Sequence, residues 1–172
     1  QDLDEVEAVL QSAGARPSVR SLQGYASGFR VKGMEVDLHN APMSLGRLRR
    51  NPAVDWLHRV RRIDGYWSLC SHDELVLSLI HPAVTEYVSG RLVRMLDLAL
   101  QIRHRAEPID WPRVADDVRS LGLANAAYAT AMRVNHLFTP VTEQGSLLAD
   151  KLLVPRAFTD ALSIGPLRRR YW

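Results

Sequence analysis

Apolar and polar positions alternate along "MEVDLH", residues 34–39, with Met34, Val36 and Leu38 on one side and Glu35, Asp37 and His39 on the other. A period of two predicts a strand that packs one face and leaves the other free. The run "GFRV", residues 28–31, alternates likewise, and Lys32-Gly33 between the two runs reads as a hairpin turn. This pairing assigns Phe29, Val31, Met34, Val36 and Leu38 to a buried face and Arg30, Glu35, Asp37 and His39 to the opposite one. Upstream, "DLDEVEAVLQSAG" carries helical period. Asp2 or Asp4 serves as N-cap, Glu5 or Glu7 closes a capping box, Val6, Val9 and Leu10 form the apolar stripe, and Gly14 ends the helix. "ARPS" then reads as a turn.

Beyond residue 42 the period shifts towards that of a helix. "MSLGRLRRNPAVDWLHRVRR", residues 43–62, predicts a short helix or loop leading into another, and "GYWSLC" a brief extended segment. "SHDELVLSLIH" opens a helix with Ser71 as N-cap and Glu74 completing the box. In "YVSGRLVRMLDLALQIRHR" the expected buried face is Leu92, Met95, Leu96, Ala99 and Ile102. "IDWPRVADDVRSLG" is capped by Asp110, carries Pro112 in its first turn and stops at Gly122. "LANAAYATAMRVNHLF" is Ala-rich, which permits close helix contact, and "EQGSLLADKLL" and "PRAFTDALS" predict two short helices. Trp56, Trp67 and Trp111 read as packing residues. The predicted class is α+β: a small head of helix plus β-hairpin over residues 1–42, then an all-helical body over 43–172.

Composition adds little to this outline. The chain has 172 residues, 47% of them apolar, enough to bury a core without disulfide staples. Its one cysteine, Cys70, excludes an internal disulfide and suits a reducing cytoplasm. No apolar run approaches the ~20 residues of a membrane span, and the acidic, amphipathic start is no signal peptide. Net charge is +3, but 20 arginines stand against two lysines. Arginine forks suit phosphates and carboxylates; a GC-rich coding sequence gives the same bias.

The Glu35, Asp37, His39 face holds the best candidate chemistry. A carboxylate on a rigid strand is suited to Mg²⁺, although one carboxylate is too few for a firm site. The plainer alternative is a solvated face with an Arg30–Glu35 cross-strand pair. The arginines at 47, 49, 50, 59, 61 and 62 follow this strand and offer bidentate partners to phosphate, or simply form a solvated basic face. The tail "PLRRRYW" has the basic and aromatic character of a nucleic-acid contact. His81 and Asp97 read as structural, Asp97 pairing with Arg94 or Arg91.

The phrases "GFRVKGMEVDLHNAP", "HDELVLSLIHPAVTEYVSGRLVRMLDLALQI" and "IDWPRVADDVRSLGLANAAYATAMRVNHLF", in this order, resemble a family of bacterial uncharacterised nucleotidyltransferases. That family belongs to the superfamily of DNA polymerase beta and the minimal nucleotidyltransferases. Its hairpin strand ends in a phrase like Val36-Asp37-Leu38-His39, and later phrases match Asp73-Glu74-Leu75, Leu96-Asp97-Leu98-Ala99 and Asp110-Trp111. The resemblance runs over about residues 1–140. It implies Mg²⁺-dependent transfer of a nucleotidyl group from a nucleoside triphosphate to an RNA, protein or other acceptor. It further implies three carboxylates, of which Asp37 matches the third. The other two sit on an Asp-x-Asp strand that family members place just before a phrase like "DLDEVEAVLQSAG". Asp2-Leu3-Asp4 runs straight into helical period and reads as a cap, so the chain is expected to be the C-terminal portion of the enzyme, inactive without that upstream segment. Within this reading Asp37 is the metal ligand or catalytic base, and Arg30 and His39 contact the nucleotide. The competing readings are a degenerate, non-catalytic helical binding or assembly module, and an unrelated helical domain in which the hairpin phrase is coincidence.

Overall fold

A computed structural model describes residues 3–20, 26–39, 41–43, 45–85, 92–141, 143, 147 and 149–162. The tail "PLRRRYW", Asp2 and Arg91 lie outside the described residues. The chain divides into two compact units, Gln1–Val54 and Asp55–Trp172.

The first unit opens with α1 (Leu3–Ser12), which carries Asp4 and Glu5 in its first turn, where carboxylates oppose the helix dipole. It ends at Gly14, whose φ of 86° is the left-handed conformation that a side chain resists. Three strands follow, β1 (Arg16–Arg20), β2 (Ala26–Val31) and β3 (Met34–His39), in an antiparallel sheet of order β1-β2-β3. The β2–β3 turn is Lys32-Gly33, with φ of 48° and 84°, as a two-residue hairpin requires. β1 occupies the stretch that the sequence reads as a turn. Its Pro17 is tolerated because β1 is an edge strand and is bulged between Pro17 and Val19.

One face of this sheet is packed near its centre alone. Phe29 is fully buried, and the hydroxyl of Ser27, two residues away on the same side, donates to a Glu7 carboxylate oxygen of α1. Met34 and Val36, expected beneath that cover, are 66% and 39% exposed. Alternation assigned them the correct side of β3, but burial depends on what lies above a face, and among the described residues little covers the outer strand.

The second unit is mainly helical, as expected, and its described residues include one short hairpin where the sequence reads a brief extended segment. A five-residue helix, α2 (Ala53–Leu57), leads into strands β4 (Arg61–Ile63) and β5 (Tyr66–Ser68). There follow α3 (Ser71–Thr85), α4 (Leu92–Arg103), α5 (Trp111–Ser120), α6 (Ala124–Phe138) and α7 (Arg156–Leu162). The amide of Glu74 bonds the carbonyl of Cys70, so Cys70 rather than Ser71 holds the cap position of α3. The Asp110 carboxylate accepts from the Arg113 amide at 3.1 Å and caps α5 as predicted, and Gly122, at φ 78°, ends that segment. Of the two short helices expected near the end, α7 forms; the first lies partly outside the described residues, and within it Ala149–Lys151 make a 3-10 turn.

The core gathers Leu75, Val76, Leu79 and Ile80 of α3, Met95, Leu98 and Ala99 of α4, Val114 and Val118 of α5, and Ala127, Ala131 and Val134 of α6. Small Ala127 and Ala131 let α6 approach α3 closely. The buried stripe of α4 is Met95, Leu98 and Ala99, while Leu92 and Leu96 are 65% and 41% exposed, so the predicted face is rotated. Apolar residues surround α4 on more than one side, and the neighbouring helices choose among them. Trp111 stacks obliquely on Phe158 with ring centroids 4.9 Å apart, and Trp56 is buried, as expected. Trp67 is 72% exposed and packs into no core. The Asn135 side chain serves the segment before α7 as a surrogate strand. Its amide donates to the carbonyl of Val154, and its oxygen accepts from the Val154 amide, both at 2.8 Å and both buried.

Candidate functional site

Residues paired across an antiparallel ladder share a face, so the register of the first sheet determines which side chains can act together. Arg16 pairs with Arg30, Arg30 with Glu35, Gly28 with Asp37 and Ala26 with His39. Arg16, Arg30, Glu35, Asp37 and His39 therefore stand on the face opposite Phe29. The predicted constellation exists, and it is exposed. Arg30 donates to Glu35 at 3.0 Å, with 60% and 70% of the two side chains in water. Such a pair holds weakly and exchanges readily with another anion. Asp37 stands opposite Gly28, which has no side chain to crowd it. Its carboxylate makes no hydrogen bond or ion pair among the described residues.

Arg16 was not anticipated. Directly opposed like charges cost free energy across a ladder, and here a second guanidinium stands beside Arg30. The missed signal lay in reading "ARPS" as a turn, where its pairing partner could not be assigned.

Asp37 does not by itself make a metal site. Among the described residues no group of three His, Cys, Asp or Glu side chains could hold an ion. Glu35, the nearest carboxylate on the strand, is engaged by Arg30. This face thus offers Mg²⁺ one free carboxylate, short of what an octahedral ion in phosphoryl chemistry requires.

In the second unit, Arg59 and Asp73 form a fork-to-fork pair, Nε to Oδ2 at 3.0 Å and Nη2 to Oδ1 at 2.9 Å, and the Cys70 thiol donates to the same carboxylate at 3.2 Å. Asp73 is wholly buried. The hydrogen bonds that Arg59 donates to this carboxylate hold its guanidinium above its ordinary pKa, with partial burial opposing. One of the predicted phosphate-binding arginines is thereby committed to structure. His81 and Asp97, both read from sequence as structural residues, line one cavity of 350 Å³ together with Glu74, Leu77, Ser78, Pro82 and Arg94. Pro82 lies inside α3 and has no N–H to give the carbonyl of Ser78.

The family described as uncharacterised nucleotidyltransferase matches residues 1–139, and the chain belongs to that family. The match spans both the Asp37 sheet and helices α1 to α6. No curated protein and no solved structure matches the chain. Among the described residues no helix is long and apolar enough to cross a membrane.

Proposed function

We propose that this chain contributes the Asp37 face to a nucleotidyl-transfer site that uses a nucleoside triphosphate and Mg²⁺. The observation that carries the proposal is Asp37 itself: a carboxylate on a paired strand, exposed, opposite a glycine and without a partner among the described residues. A side chain kept for stability would be tied to a neighbour, as Glu35 and Asp73 are.

In the reaction the acceptor oxygen forms a bond to the α-phosphorus, the bond from that phosphorus to the bridging oxygen breaks, and pyrophosphate leaves. Asp37 takes the proton from the acceptor hydroxyl, or would supply one oxygen ligand to a bound Mg²⁺. Arg30, released from its screened pair with Glu35, and Arg16 beside it neutralise phosphate charge, and His39 at the strand end contacts the nucleotide. Catalysis of this kind is positioning and charge neutralisation. Mg²⁺ belongs to the proposal only as far as Asp37 supplies a single ligand. A firm metal site would need further carboxylates, which the described residues do not bring to this face.

The test is transfer of label from α-labelled triphosphates by the product of the whole gene, against its Asp37→Asn and Arg16→Gln variants. Loss of transfer in Asp37→Asn and a raised KM for triphosphate in Arg16→Gln are expected. Equal transfer by wild type and Asp37→Asn would remove Asp37 from the chemistry and favour the binding-module reading.

A further inference from the structure

The β4–β5 hairpin is the least explained part of the second unit. Asp64 and Gly65, at φ 47° and 88°, make the tight turn, and Arg61 pairs with Ser68, Arg62 with Trp67, and Ile63 with Tyr66. A lone two-stranded hairpin is marginal in water unless it packs an apolar face. This one leaves its aromatic surface largely in water: Tyr66 is 77% exposed and Trp67 72%, while Ile63 is 41% exposed. It is nevertheless held, because Arg59, two residues before β4, is forked onto buried Asp73 at the start of α3.

Register sorts its side chains into two faces. Arg61, Ile63, Tyr66 and Ser68 share one, and the Arg61 guanidinium lies 3.9 Å from Glu74 of α3, so this face carries a counter-charge. Arg62 and Trp67 share the other, and Arg62 has no ion pair among the described residues. The exposed run "LHRVRRIDGYW" contains three arginines and one aspartate. The unit therefore presents a flat indole on a fixed strand beside a guanidinium uncommitted among the described residues.

We propose that the Arg62–Trp67 face of this hairpin binds single-stranded polynucleotide, a base stacking on Trp67 while Arg62 takes the adjacent phosphate. A polynucleotide supplies both required chemistries, a π-face and an anion, at every step of its chain, and it needs no pocket. A mononucleotide would gain too little from one open platform. An apolar protein partner would leave Arg62 desolvated and unpaired. The proposal does not depend on Asp37 or on nucleotidyl transfer.

Fluorescence anisotropy of the full chain with labelled oligouridylate and oligothymidylate, without triphosphate or Mg²⁺, tests it and separates RNA from DNA as the source. Binding is expected, weaker for a duplex of equal length, and weakened by salt. Trp67→Ala should weaken it about fivefold or more, and Trp67→Phe, which keeps a platform, should retain most of it. Arg62→Gln should lower the slope of log affinity against log salt by about 0.7. Unchanged thermal melting of each variant establishes that the fold is intact. Failure of the wild type to bind either oligonucleotide at low salt overturns the proposal. So does undiminished binding by Trp67→Ala and Arg62→Gln, whichever other segment then carries it. Self-association lost in Trp67→Ala, with no oligonucleotide bound, would replace it with a protein interface.

Discussion

Replacing Arg59 by methionine tests the anchor that holds the hairpin to the helical unit. The change keeps the apolar stem and removes the fork, leaving the Asp73 carboxylate with the Cys70 thiol in place of three donated hydrogen bonds. Breaking one side of a buried ion pair costs about 3–5 kcal/mol, because the remaining charge stays desolvated. Asp73 is 0% exposed, but Arg59 keeps 39% of its side-chain surface in water. Solvent therefore screens part of the pair and can relax around the carboxylate, which lowers the expected loss to about 2–3 kcal/mol. For a chain of this size that is a fall in Tm of roughly 4–12 °C. The raised pKa of Arg59 makes its contribution present throughout the neutral range and lost only in strong alkali, as pH rises through the folded-state value, so the assay is insensitive to buffer choice on the arginine side. Urea unfolding at neutral pH gives the free energies. The double variant Arg59→Met with Asp73→Leu, which removes both charges, should be more stable than Arg59→Met alone, with a coupling of about 1–3 kcal/mol. Arg59→Met within about 0.5 kcal/mol of wild type, together with no coupling, would refute the argument that the fork is an anchor.

Three further outcomes follow from the same geometry. Asn135→Ala strands the buried amide and carbonyl of Val154 and should cost about 2–4 kcal/mol by urea unfolding. Gly33→Ala should cost about 1–2 kcal/mol through φ strain alone, since an added Cβ at φ 84° would meet no atom within 4 Å; a loss well above this would mean that something crowds the turn. Asp37→Asn should change stability by less than about 0.5 kcal/mol, because its exposed carboxylate has no partner among the described residues; a larger loss would reveal a structural role and weaken the proposed catalytic one.

Elements governed by near neighbours were legible in the sequence. Lys32-Gly33 and the alternation on either side specify a hairpin within a dozen residues, and Asp110, Pro112 and Gly122 bound α5 by local hydrogen bonding and backbone freedom. The Arg30, Glu35, Asp37, His39 face was legible for the same reason: a strand's period of two is local. Residues whose fate depends on a distant partner were not. Trp67 carries the composition of a core residue, yet it is 72% exposed and no described element covers it. The turn signal Asp64-Gly65, flanked by paired residues, could have revealed its hairpin. Arg16 joins the candidate site only because β1 pairs with β2 in that register.

The sequence by itself thus determined the β2–β3 hairpin and its turn, the bounds of α5, and that an acidic side chain would project from the second arm of that hairpin. Tertiary structure alone decided which of several apolar sides of α4 is buried, that Asp73 disappears under Arg59, and that Trp67 and Asp37 remain in water. The physical reason is range. Dihedral preference, capping and alternation act over a few residues along the chain, whereas desolvation depends on whatever the fold brings up through space.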